Sequence, residues 1–254
     1  MLNKRQAHLT VRQEKLLNIL IGQFIKNAEP VSSKALVKSG PFSLSSATLR
    51  GEMNALEKAG YLTQLHTSGG RIPTPKAYRF YVDNLMANPG IYVPEATKKK
   101  IHKAIADAGN DPEELNRVVA NIVSVLSDNI VVTNVKDSDN FYKTGLSSLF
   151  ELPEFREFER IFNVTSVFDH FDSVFSQVEK ELFGNNEGNI TILIGDENNI
   201  KNIREETVIL ARYPLPNRKT GTMTIIGSMR MDYEKNIGLA RCIVDEFSNK
   251  FNKI

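Results

Sequence analysis

The chain has 254 residues, 41% of them apolar and 24% charged, with a net charge of +2, one cysteine and four histidines. That is the composition of a soluble globular protein with room for two modest cores, and it excludes a disulfide framework and a Cys/His zinc site. No uninterrupted apolar run approaches the ~20 residues that span a bilayer, and MLNKRQAHLT lacks the apolar core of a signal peptide, so a cytoplasmic protein with no membrane partner is expected.

The charge is unevenly placed. Residues 1–90 hold 12 Lys/Arg against 5 Asp/Glu, whereas residues 91–254 hold 20 against 25. A basic first third on an acidic remainder fits a chain whose N-terminal unit alone meets phosphate.

Thr10 and Gln13 form a capping-box pair that opens a helix, and Leu17, Leu20, Ile21, Phe24 and Ile25 recur along it at helical spacing until Glu29-Pro30. Ser32 caps a short helix through Lys38, and Gly40-Pro41 turns the chain. Ser45 caps the next helix, with Leu44 and Leu49 as a hydrophobic staple and Leu49, Met53 and Leu56 as its buried stripe, up to Gly60. Tyr61 to Leu65 and Arg71 to Pro73 are predicted as two short strands, joined by His66-Thr67-Ser68-Gly69-Gly70. Thr74-Pro75 starts a fourth helix, with Tyr78, Tyr81, Val82 and Leu85 as its core stripe. Three helices, a hairpin and a closing helix without a long loop make residues 1–88 a winged helix-turn-helix, whose Ser45 helix would enter a DNA groove.

The face of that helix opposite its stripe carries Ala47, Gly51, Asn54 and Lys58, flanked by Ser45, Ser46, Thr48 and Arg50, while Glu52 and Glu57 sit nearer the stripe. Arginine pairs with guanine, asparagine with adenine, and an alanine methyl packs on thymine. By itself the same face also describes an ordinary solvated helix. In the hairpin, Arg71 beside Gly69 and Gly70 either touches phosphate or the minor groove or pairs with an acid. His66, next to Thr67 and Ser68, either bonds a phosphate or serves the turn.

Asn88-Pro89-Gly90 breaks the chain and Pro94 precedes a new helix, giving a linker at 89–94 and a second domain over 95–254. Lys98-Lys99-Lys100 reads either as a solvated helix face or as a phosphate contact from a linker helix. Asp111-Pro112 caps a helix through about Ser127 with Leu115, Val118, Val119, Ile122, Val125 and Leu126 apolar. Strands are predicted at Ile130–Val135, Asn189–Gly195, Thr207–Tyr213 and Thr222–Gly227, and helices at about 153–162 and 166–183. A final helix, Asp232 to Phe251, carries Ile237, Ala240, Val244, Phe247 and Phe251 on one face. The class is α+β. No catalytic constellation is legible: Asp169-His170-Phe171-Asp172 points its side chains apart on a helix, Gly195-Asp196-Glu197 is a turn, GNNEG (184–188) is a polar loop, Cys242 is a partly buried thiol, and no phosphate-binding Gly-rich loop occurs. No enzyme, no cofactor and no metal is expected.

SSATLRGEMNALEKAGYLTQLHTSGGRIPTPKAYRFYVD resembles the winged-helix module of the HrcA heat-inducible transcription repressors, whose pattern runs close to SSATIRNDMAELEELGYL and then HTSAGRIPTDKGYRYYVD. TGLSSLFELPEF (144–155), ILIGDEN (192–198) and IIGSMRMDYEKNIGLARCIVDEF (225–247) resemble C-terminal segments of the same repressors. The resemblance implies double-stranded DNA as partner, in the form of the CIRCE inverted repeat upstream of chaperone operons. It also implies a homodimer, release on heat shock, a GroEL-type chaperonin that restores activity, and a GAF-like second domain. Two departures stand out. Gly51 and Glu52 replace the usual Asn and Asp, and only about ten residues separate Val135 from Gly145, where the family carries an inserted dimerisation domain. The GAF-like domain is therefore expected to be reduced, and dimerisation through the insert does not carry over. The rival expectation is a winged-helix protein-interaction or ligand-sensing module without specific operator binding.

Overall fold

The computed structural model describes residues 9–39, 42, 44–64, 69–173, 175, 188–198 and 200–251. The chain divides into two units, Met1–Ala87 and Asn88–Ile254.

In the first unit, α1 (Val11–Asn27) opens on a full capping box: Thr10 Oγ1 accepts the Gln13 amide at 3.3 Å and Gln13 Oε1 accepts the Thr10 amide at 3.0 Å. Leu16, Leu17, Leu20 and Ile21 are buried, whereas Phe24 and Ile25 are half-buried. Ala28, left-handed at φ 56°, ends the helix before Pro30. Ser32 caps α2 (Ser33–Ser39) through the Ala35 amide at 3.1 Å. Ser45 caps α3 (Ser46–Lys58) through the Thr48 amide at 3.1 Å, and Leu49, Met53 and Leu56 are its buried stripe. Each of these leucines contributes about 1.5–3 kcal/mol by leaving water. The chain turns at Gly60 and enters β1 (Leu62–Thr63), which pairs antiparallel with β2 (Ile72–Pro73). Thr74 Oγ1 accepts the Ala77 amide at 3.3 Å at the start of α4 (Pro75–Ala87), where Ala77, Tyr78 and Val82 are buried.

The two strands are shorter than the predicted 61–65 and 71–73. Arg71 leaves the hairpin ladder and pairs with Val31 instead, donating its amide to the Val31 carbonyl at 2.8 Å and accepting the Val31 amide at 2.9 Å. Gly70 makes this approach possible: a Cβ there would lie 2.6 Å from the Pro30 carbonyl carbon and oxygen.

In the second unit, Pro94 leads into α5 (Glu95–Asp107), and Asp111 caps α6 (Pro112–Ser127) through the Glu114 amide at 2.8 Å. The sheet contains β3 (Ile130–Val135), β4 (Phe141–Thr144), β5 (Ile190–Ile194), β6 (Glu206–Pro214) and β7 (Thr220–Ser228). Their order is β4-β3-β7-β6-β5, antiparallel at every pairing. Because side chains alternate, Ile130, Val132, Val208, Leu210 and Ile226 face α7 (Leu146–Leu149) and α8 (Phe158–Asp169), where Leu149, Val164 and Val167 complete a core. The opposite face meets α6 and α9 (Tyr233–Phe251). There the Tyr213 ring packs at a tilt on Phe247, centroids 4.7 Å apart, and its hydroxyl donates to Asn116 Oδ1 at 2.6 Å, and the Tyr233 and Thr207 hydroxyls lie 2.8 Å apart. The result is a sheet between two helical layers, an α+β arrangement.

Three expectations need correction here. β4 was not foreseen, because its four residues are all half-buried and so carry no alternating signal. The helices placed at 153–162 and 166–183 divide elsewhere: Pro153–Arg156 is a 3-10 turn, Glu157 is extended, and α8 runs without a break through Asn163 to Thr165. Beyond Asp169, residues 171–173 are helical and most of the predicted remainder lies outside the described residues. Third, Val125 is 77% exposed: α6 turns Leu115, Val119 and Val123 inward, one residue away from part of the predicted stripe.

The segments that resemble a known family at 144–155 and 225–247 both close on Asn129 and also meet each other: a Cβ on Gly145 would fall 2.2 Å from the Asn129 carbonyl oxygen. Asn129 Nδ2 donates to the Ser127 carbonyl at 2.7 Å, and its side chain lies against Gly227 so closely that a Cβ on that glycine would fall 1.9 Å from Asn129 Oδ1. Glu154 accepts from both Nε and Nη2 of Arg230. Burial pushes the Glu154 carboxyl upward, but the hydrogen bonds and charge of Arg230 outweigh it and hold the group below its ordinary range. Arg160 forms a similar fork on Glu206, at 2.8 and 3.0 Å, at a carboxylate that is 1% exposed.

Candidate nucleic-acid interface

α3 exposes Ala47, Thr48, Arg50, Gly51, Asn54 and Lys58 to solvent, as its stripe of Leu49, Met53 and Leu56 requires. Ser45 is exposed at the cap, with its hydroxyl 2.9 Å from that of Thr48, and the half-buried Ser46 hydroxyl lies 2.9 Å from that of Ser33 on α2. Both acids of the helix are neutralised by neighbours. Glu52 takes Arg12 Nε at 3.0 Å and Gln13 Nε2 at 3.1 Å from α1, and Glu57 takes Arg71 Nε at 2.9 Å. Among the described residues, Arg50 and Lys58 make no hydrogen bond or ion pair, so the outward face keeps its positive charge.

At the base of the hairpin, Gly69 is exposed, its carbonyl accepting Gln64 Nε2 at 3.2 Å, and Gly70 is half-buried against Pro30. The Arg71 side chain is only 13% exposed. Besides Glu57 it holds Asn54, its Nη2 donating to Asn54 Oδ1 at 2.9 Å. Of the two expectations for Arg71, pairing with an acid describes its position in the fold. His66, Thr67 and Ser68 lie outside the described residues. A cleft of about 240 Å³ between α2, α3 and the hairpin base is lined by Ser32, Lys34, Arg50, Met53, Gly70 and Arg71. Lys34 and Arg50 bring charge to this cleft and Ser32 a hydroxyl, a combination that suits a phosphate, whereas the charge of Arg71 is taken by Glu57.

Sequence reasoning missed the link between the hairpin and the helix, and it missed Lys34. One signal was available for the first: Asn54 and Glu57 are three residues apart, on one helix face, so one guanidinium can reach both.

Elsewhere, the chemistry considered from the sequence does not assemble. His170 Nδ1 lies 3.0 Å from the Ser166 carbonyl oxygen, and Asp172 pairs with Lys143 at 2.9 Å. The Glu197 carboxylate accepts the Ile194 amide at 2.9 Å within a tight turn. Burial pushes the Cys242 thiol up to about 11. Among the described residues no three His, Cys, Asp or Glu side chains converge as a metal site would require.

Comparison with known proteins gives consistent relatives. The model of the HrcA protein C terminal domain matches residues 92–237. The heat-inducible transcription repressor HrcA of Clostridium acetobutylicum is 28% identical, over 96% of this chain and 98% of that protein. The repressor of the same name from Clostridium tetani is 26% identical over 92% and 93%, and that of Bacillus pumilus 24% over 97% and 99%. The first alignment runs over 341 positions against a chain of 254 residues, so that relative carries material this chain lacks. Among solved structures, a crystal structure of a hypothetical protein shares the fold at a TM-score of 0.77, with 21% identity over 96% of this chain and 99% of that one.

Proposed function

The chain belongs to the HrcA family, and from that premise we propose that it is a sequence-specific DNA-binding repressor of heat-shock (chaperone) operons, bound as a dimer to a CIRCE-type inverted repeat. In this reading residues 1–88 are a winged helix-turn-helix. The motif helices are α2 and α3, and the β1–β2 hairpin is the wing. Residues 95–254 are a reduced GAF-like regulatory and dimerisation domain.

The observation that carries the proposal is the outward face of α3. It offers Ala47, Thr48, Arg50, Gly51, Asn54 and Lys58 with both helix acids tied down elsewhere. A helix fits the major groove, where base edges are distinguishable. Ser46, Ala47, Thr48, Arg50 and Asn54 supply selectivity. Lys34, Lys58 and the other cations of the basic unit supply sequence-independent affinity that falls steeply with salt. One such helix reads one half-site, so an inverted repeat requires a two-fold pair. Repression then needs no chemistry, since bound protein occludes the promoter. Heat shifts the population away from the DNA-competent dimer, and a GroEL-type chaperonin restores it. The site of action is the cytoplasm; among the described residues no helix is long and apolar enough to cross a membrane.

Fluorescence anisotropy on a CIRCE-type duplex and on a shuffled duplex of equal composition, both at physiological salt, tests this. The repeat should bind about 10³-fold tighter or better, as specific sites do. Equal, weak binding to both would refute operator recognition and leave the protein-interaction or ligand-sensing reading.

A further inference from the structure

We propose that Arg71 decides what Asn54 reads: by holding the Asn54 carbonyl oxygen, it leaves the Asn54 amide to donate to an acceptor atom on a base edge. The inference rests on α3 occupying a DNA groove. Arginine carries five N–H donors and no acceptor, so the Asn54 atom 2.9 Å from Arg71 Nη2 is the oxygen, whatever the ambiguity of amide ends elsewhere. Among the described residues, Asn54 Nδ2 donates to nothing, and the side chain is exposed.

An unrestrained asparagine pairs with adenine through both ends, accepting from N6 and donating to N7. With one Oδ1 lone pair engaged by a charged donor and the side chain held in that orientation, accepting from adenine N6 as well is disfavoured. The donating half remains, and the major-groove acceptors are purine N7, guanine O6 and thymine O4. Asn54 is thereby biased toward guanine, whose N7 and O6 are adjacent acceptors, and away from the two-ended adenine pairing that the residue type alone suggests.

The restraint is rigid. The Arg71 backbone is fastened to Val31 by two hydrogen bonds, Gly70 is pressed on Pro30, and Nε is held by Glu57 at 2.9 Å. The same contacts argue against Arg71 as a phosphate ligand. Reaching out would break them and leave the Glu57 carboxylate unpaired beside the DNA, and in place the pair is neutral. Arg71 is thus a positioning residue, acting through Asn54.

The test begins with selection of bound duplexes from a random pool by the wild-type chain, followed by Asn54→Ala to find the operator position whose preference collapses. That position should be a G·C pair, contacted on its guanine, whose adjacent N7 and O6 both accept. There 7-deazaguanine should weaken binding about tenfold. The charge-neutral double variant Arg71→Met/Glu57→Gln should reduce discrimination at that position to within about twofold, leaving the other positions and the salt slope unchanged. A merely structural role would lower affinity for all sequences alike.

An A·T pair at that position, unchanged discrimination in the double variant, no position sensitive to Asn54→Ala, or a reduced salt slope would each overturn the proposal. If the double variant does not fold, the base identity and the 7-deaza result in the wild type still decide. If the wild type enriches no sequence at all, it is operator recognition itself that fails, which is a different outcome from enrichment with adenine under Asn54.

Discussion

Gly51 and Gly70 lie in the same unit, and the same substitution at each should act with opposite sign. Gly51 is exposed within α3, and a Cβ there meets nothing within 4 Å. Alanine should therefore stabilise by about 0.5–1 kcal/mol, the helix-interior difference between the two residues. For a unit of this size that raises the midpoint by about 2–8 °C. At Gly70 a Cβ would sit 2.6 Å from Pro30 and 2.7 Å from the Val31 carbonyl carbon, all backbone atoms that cannot swing aside. Relief requires parting the Val31–Arg71 bridge, whose two hydrogen bonds contribute about 1–3 kcal/mol together. The reduced entropy of the unfolded chain returns at most about 1 kcal/mol. With the bridge at the middle of its range, about 2 kcal/mol, Gly70→Ala should then cost about 1 kcal/mol, and more if the strain is not fully released. Urea unfolding of the whole chain, followed through probes in each unit, measures both values. A neutral or stabilising Gly70→Ala, or a destabilising Gly51→Ala, would refute the packing described at the hairpin base.

Three further outcomes are expected. Arg50→Ala should cost about 1–3 kcal/mol of specific binding while leaving binding to shuffled DNA within a few fold; anisotropy on the two duplexes separates the cases, and unchanged specific affinity removes Arg50 from the readers. Arg230→Ala should destabilise by about 1–3 kcal/mol, because it strands a half-buried carboxylate. Since the folded-state pKa of Glu154 is lowered, the contribution is present above the ordinary carboxylate range near ~4.3 and lost as pH falls below it, so the cost measured by denaturant unfolding should shrink with acidification. Cys242, with its thiol pushed up to about 11 from 9.0, should react with iodoacetamide at pH 8 about a hundredfold more slowly in the folded chain than in urea. The sign is that of a raised pKa: the group favours folding below about 9 and loses that contribution as pH rises through 11.

What the sequence made legible depended on whether a residue's role is local. The capping box at Thr10, the caps at Ser32, Ser45 and Asp111 and the stripe of α3 all depend on neighbours within a few residues, and each appears in the structure as expected. β4 and the division near Glu157 depend on what packs over them, and a four-residue strand of half-buried residues has no period of its own. The candidate reading face was legible because it is the complement of a local stripe. The bond between Arg71 and Asn54 was not, because it spans seventeen residues and needs the Val31 bridge to bring the hairpin base under the helix.

The segments that resemble the family separate into residues that folding explains and residues that it does not. Along 144–155 and 225–247, Glu154, Gly227, Arg230 and Tyr233 all hold the second unit together through buried bonds or close approaches. Along 45–79, Ser45, Leu49, Met53, Leu56, Gly70 and Thr74 are accounted for in the same way. Ala47, Arg50, Gly51 and Lys58 are not: they are exposed, and each could change without disturbing a described contact. Glu52, one of the two departures from the family pattern in α3, pairs with α1, so its extra methylene relative to aspartate serves the fold. Gly51, the other departure, is exposed, and a Cβ there meets nothing within 4 Å, so the fold does not demand glycine at this position. The absence of the asparagine usual in the family removes one donor and one acceptor from the centre of the face. Any shift in operator preference from that pattern should therefore map to the base pair under Gly51, and Gly51→Asn should restore discrimination there without altering the positions read by Arg50 and Asn54.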